Sequence, residues 1–112
     1  MAFKKSTSIN LADPTAIFTG SAIIAGATAQ AEFGADHKPT GNNVAVRVTV
    51  LSKELGTLTI DLVPYSVETE KKVSDAFGSV ITASNLVKAS ECKIYIYNGE
   101  LKIRITARDI TL

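Results

Sequence analysis

The sequence has no tryptophan, one cysteine, one histidine and three prolines among 112 residues. Aromatic residues make up only 6%, and 12 basic side chains stand against 11 acidic ones. Each scarcity excludes something. The single thiol, Cys92, cannot close an internal disulfide, so a reduced, buried, packing cysteine is expected. One His and one Cys, widely separated, do not make a zinc site. No GxxxxGK[ST] phosphate loop occurs, and no nucleophile is tied to the Asp36-His37 step. Asp61, Glu68 and Glu70 read as a strand-exterior acid and two helix N-terminal charges, not as paired catalytic carboxylates. The chain is therefore expected to be no enzyme and to need no metal or cofactor. A net charge of +1 also lacks the basic excess by which many nucleic-acid binders announce themselves. The balance is uneven along the chain. Residues 86–112 hold Lys88, Lys93, Lys102, Arg104 and Arg108 against Glu91, Glu100 and Asp109, whereas 57–85 lean acidic.

Long apolar runs are missing too. Residues 16–31 are apolar but rich in Ala, Gly and Thr, and too short to span a bilayer as a helix. Lys4 and Lys5 lead into Ser-Thr-Ser, not into the apolar stretch of an export signal. A cytoplasmic protein that avoids membranes is expected. What is present is a hydrophobic fraction of 46% in a length suited to one domain. Residues 1–14 read as a polar lead-in ending at Asp13-Pro14, in which Ile9 and Leu11 suit a short edge strand or a subunit contact. Residues 15–112 read as the single folded domain.

Within it, 15–33 predict one long strand bent or bulged near Gly20 or Gly26, because glycine, Thr and Ile interrupt any helical stripe. A helix is the alternative for this Ala-rich stretch. Residues 34–43 (GADHKPTGNN) predict a loop. Val44, Val46, Val48 and Val50 alternate with Ala45, Arg47, Thr49 and Leu51, placing the valines on one strand face. After a short break at Ser52–Gly56, Leu58, Ile60 and Leu62 alternate with Thr57, Thr59 and Asp61, completing a hairpin that Pro64 ends. Ser66 suits a helix cap, Glu68 and Glu70 its first turn and Gly78 its close, with Val73, Ala76 and Phe77 on one face. Val80 and Ile81 open another strand region that Asn85–Glu91 bends. Asn98-Gly99 is the strongest hairpin turn, joining Lys93–Tyr97 to Leu101–Thr106. Phe18, Phe33 and Phe77 are expected in the core.

Five strands and one short helix in the order β-β-β-α-β-β are expected to close as a small all-β barrel, with Val73 and Phe77 plugging its end. If Ile94, Ile96, Leu101, Ile103 and Ile105 face inward, then Lys93, Tyr95, Tyr97, Lys102 and Arg104 face outward together. Arg47 extends that surface from the valine strand. Cations beside phenol rings are what unpaired bases and their phosphates require. The same alternation also suits a plain solvated sheet, or a subunit interface in which Tyr is enriched.

The element order, the strand TGSAIIAGA, and the segment GSVITASNLVKASE followed by KIYIYNGELKIRITARDI resemble the OB-fold single-stranded DNA-binding proteins of bacteria, in their compact phage or plasmid form. The resemblance covers roughly residues 15–110 and is topological. It implies sequence-tolerant binding of single-stranded DNA in replication or recombination, by a homo-oligomer (a dimer or tetramer) in a bacterial host cell. It also implies that ligand runs between loops, which adds Lys53 from the 52–56 loop and His37 and Lys38 from the 34–43 loop. The family's acidic C-terminal tail does not appear before Leu112, and its stacking tryptophans are missing, so recruitment through such a tail is not expected. The competing function is a structural or assembly β-module such as a phage virion component.

Overall fold

The computed structural model describes residues 8–11, 13 and 16–112. Among them the strands are β1 (Ser8–Leu11), β2 (Ser21–Phe33), β3 (Pro39–Ser52), β4 (Gly56–Leu62), β5 (Val80–Thr82), β6 (Leu86–Val87), β7 (Glu91–Tyr97), β8 (Glu100–Ala107) and β9 (Asp109–Ile110). One helix, α1 (Val67–Asp75), follows β4, and a 3-10 turn (Ala83–Asn85) follows β5. Seven strands form one sheet in the order β1-β7-β8-β4-β3-β2-β5, curled into a half barrel; β6 and β9 pair separately. Every pairing in the large sheet is antiparallel except β4 with β8.

The all-β expectation with one helix stands, and 15–33 is strand rather than helix over Ser21–Phe33. The expected five strands become seven in the sheet. The barrel stays open because β5 takes the outer edge of β2 and β1 that of β7, so β2 and β7 do not pair. The edge-strand reading of Ile9 and Leu11 is what β1 realises; residues 1–7 of the lead-in lie outside the described residues.

Alternation builds the inner face. Val46, Val48, Val50, Leu58, Ile60 and Leu62 are all sealed from solvent, joined by Ile24, Cys92, Ile103 and Ile105. The bulge lies at Gly26: Ile24 pairs with Val50 and Gly26 with Thr49, leaving Ala25 as the extra residue. A second irregularity overturns one expectation. Gln30 pairs with Ala45 and Ala31 with Asn43, so Val44 is skipped, and it is exposed while Ala45 is buried. A strand's parity holds only until an unpaired residue breaks it. The loop is also shorter than expected, since β3 begins at Pro39 and only 34–38 remain as the turn. The β2–β3 ladder thus continues as an arm in which residues 35–44 are all exposed, Phe33 among its exposed neighbours rather than in the core.

The helix forms where its signals lie. Ser66 is its cap, its side chain accepting from the Thr69 N–H, and Glu68 and Glu70 sit in the first turn. Val73 is fully buried, with Phe18 close to it in exposure, but Phe77 is 71% exposed and is no plug. The reason is local. The Ala76 and Phe77 amides donate three residues back, to Val73 and Ser74, which tightens the last turn and takes Phe77 off the helical phase. Gly78, at φ +87°, then turns the chain so that its N–H donates to the Ile24 carbonyl on β2. Lys72 fastens the helix to the C-terminal strand through Asp109 (3.0 Å) and the Ile110 carbonyl (2.8 Å). Burial raises the Asp109 carboxyl, but the Ile110 N–H and the Lys72 ammonium outweigh it and hold it below its ordinary range. No helix among the described residues is long and apolar enough to cross a membrane.

Candidate nucleic-acid interface

The outer face of the sheet is built from the residues that alternate with the core. On β7 and β8 the cross-strand pairs are Lys93 with Arg104, Tyr95 with Lys102 and Tyr97 with Glu100. Asn98 and Gly99 both have positive φ (51° and 78°), as a two-residue type I′ turn requires, and this turn fixes that register. Parallel pairing sets Arg104 beside Thr59 and Thr106 beside Asp61, and Asp61 in turn pairs with Arg47 on β3. Six predicted residues, Arg47, Lys93, Tyr95, Tyr97, Lys102 and Arg104, therefore share one face across β3, β4, β8 and β7. The row through Arg47 runs Arg47, Asp61, Thr106 and Glu91; Arg104 with Lys93, and then Lys102 with Tyr95, lie two and four residues further along the strands toward the Asn98-Gly99 turn.

Side chains of neighbouring rows touch. The Arg104 guanidinium lies 5.6 Å from the Tyr95 ring centroid, and its Nη2 donates to the Tyr95 hydroxyl at 3.3 Å. Arg47 binds Asp61 through both ends of its fork, Nε to Oδ1 at 3.0 Å and Nη2 to Oδ2 at 3.4 Å. Arg104 Nε approaches the same carboxylate at 3.6 Å. Lys102 pairs with Glu100 at 3.1 Å. The outward cations Arg47, Lys93, Lys102 and Arg104 thus face the carboxylates Asp61, Glu91 and Glu100, and Lys93 makes no ion pair among the described residues.

The remaining predicted residues separate. Lys53 is exposed on the β3–β4 turn, and β4 and β8 run parallel, so it stands at the same end of the sheet as the Asn98-Gly99 turn. Lys38 and His37 lie on the 34–38 turn at the other end of β3, whose 14 residues make it about 43 Å long. The structure does not bring them to the tyrosines. Ile94 faces inward and is partly buried, and Ile103 and Ile105 are buried. Ile96 and Leu101, expected inside, are 58% and 65% exposed, because the end of the hairpin runs beyond the layer that covers the core. Sequence reasoning missed the place of Asp61. Its signal was being the only charge among the outward positions of β4, which makes it the counter-ion for arginines on both neighbouring strands. Cys92 is sealed in the core, where desolvation raises its thiol above the ordinary value and leaves it unreactive.

No protein-family model matches the sequence, and no curated protein or solved structure matches it either.

Proposed function

We infer that the protein binds single-stranded DNA without strong sequence preference, as a barrel-type module of the OB class. The observation that carries this reading is the shared outer face of Tyr95, Tyr97, Lys93, Lys102 and Arg104, which Arg47 borders one row beyond Arg104. Phenol rings give every base a stacking surface, and Lys93, Lys102 and Arg104 meet its phosphates. The strand order lends support. Taken alone and renumbered along the chain, β2, β3, β4, β7 and β8 lie in the order 1-2-3-5-4 with strands 3 and 5 parallel, as an OB barrel would have them. Lys53 extends the surface at the hairpin end; Lys38 and His37 are too far along β3 to join it.

Fluorescence anisotropy of a labelled oligo-dT, with duplex DNA as comparison and at two salt concentrations, tests the reading. Salt-sensitive binding of the single strand with weaker binding of the duplex is expected. Equal indifference to both would end it.

A second reading, an assembly module such as a virion component, is favoured by a different surface. On the inner face Ile9, Ile96 and Leu101 are exposed on three adjacent strands. Exposed aliphatics of this kind mark contacts between chains. A dimer or tetramer that covers them is compatible with either function. Light scattering during size exclusion, with and without oligonucleotide, separates the two: large assemblies indifferent to DNA belong to the assembly reading.

A further inference from the structure

Two arginines share one carboxylate in the middle of the proposed binding face, and they share it unequally. Arg47 holds Asp61 with two contacts within hydrogen-bond distance. Arg104 reaches it only at 3.6 Å, and its buried Nε makes no hydrogen bond among the described residues. Among the described residues, the one side-chain hydrogen bond Arg104 makes is to the Tyr95 hydroxyl. A guanidinium carries five donors in a fork that fits the two free oxygens of a phosphodiester. Most of the Arg104 fork is therefore unspent, and it sits beside a tyrosine ring and opposite Lys93. Asp61 is only 13% exposed, so its field on both arginines is screened less than that of a surface pair.

We propose that Asp61 is an internal counter-anion: a phosphate of the bound strand displaces it from Arg104, while Arg47 keeps it. This rests on the single-stranded DNA reading above. In the free protein Asp61 parks Arg104 over Tyr95, which orders the ring for stacking. On binding, the phosphate completes the Arg104 fork, and the carboxylate stays neutralised by its bidentate partner. Arg47 therefore acts on affinity without touching DNA. It is a positioning residue that keeps Asp61 from claiming Arg104 for itself. Asp61 subtracts one charge from what the strand meets, and so sets how tightly and how salt-sensitively the protein binds.

The test is a double-mutant cycle on oligo-dT anisotropy with wild type, D61N, R47Q and R47Q/D61N at 50 and 200 mM salt, each variant's fold checked by circular dichroism melting. D61N is expected to bind more tightly than wild type. Its advantage should shrink about 2.5-fold across that salt range, because one more cation faces the backbone and single strands lose affinity with a slope near 0.7 per contact. R47Q alone should bind more weakly, and adding D61N to it should bring affinity back to the wild-type level or above. A direct Arg47–phosphate contact predicts instead that the double variant stays weak. Weaker or unchanged binding by D61N, or an R47Q loss that D61N does not rescue, overturns the role of Asp61 and leaves the single-strand reading in place. Absence of binding by wild type and D61N alike overturns both. Should D61N not fold, R47Q against R47Q/D61N decides by the same rescue, since that double variant removes one of the two arginines that D61N leaves without a counter-ion.

Discussion

The β3–β4 and β7–β8 hairpins carry the same written pattern and meet different fates. Both alternate aliphatic with polar residues around a turn with a positive-φ glycine, Gly56 in one and Gly99 in the other. In β3–β4 the inward residues Val46, Val48, Val50, Leu58, Ile60 and Leu62 are all sealed. In β7–β8 only the half nearer the sheet centre is sealed, at Cys92, Ile103 and Ile105, while Ile96 and Leu101 stay in water. Alternation assigns a residue to a face. Burial needs a second layer over that part of the face, and here Phe18, Val73 and Ile110 supply it only over the centre.

That difference can be broken in order of effect. Ile60→Ala should lose about 2–5 kcal/mol of stability, the cost of a cavity in a closed core. Urea unfolding reads it, and a loss under 1 kcal/mol would mean that the centre is not closed. Tyr95→Ala, on the opposite face of the second hairpin, should leave the fold intact and weaken oligo-dT binding by about 1–3 kcal/mol. An unchanged affinity would remove the stacking surface from the proposal. Gly56→Ala and Gly99→Ala should each cost about 1–2 kcal/mol, since both impose a left-handed conformation on a residue with a Cβ. Their near equality in thermal melts would show that the two turns, unlike the two cores, are equivalent. Leu101→Ala should change stability by less than about 0.5 kcal/mol in the monomer. A larger, concentration-dependent loss would reveal that another copy covers it.

Much of the fold was legible. The valine strand, the Asn98-Gly99 turn, the Ser66 cap and the Gly26 bulge each have a local cause, and a sequence displays local causes directly. The misplaced residues depend on what lies elsewhere. Val44 fails because β2 and β3 slip by one residue beside it, which only the pairing reveals. Phe77 fails because the helix tightens at its end, and Phe33 because the hairpin outruns the core. The candidate site follows the same division. The outward set on β7 and β8 needs only parity and one turn, so it was readable. Asp61 between Arg47 and Arg104 needs the register of three strands, one of them a parallel neighbour that follows only after α1, β5, β6 and β7, and no local pattern carries that. Lys38 joined the expected set only because OB-class ligands run between loops, and a topological resemblance carries no strand lengths.

The exposed arm of β2 and β3 has a practical corollary. Among the described residues its turn at 34–38 hydrogen-bonds only within itself, and it stands a whole strand length from the tyrosine face. Tips of this sort tolerate inserted chain. A dye or affinity tag carried there would travel with the molecule as a handle, leaving both the core and the Tyr95 face unencumbered.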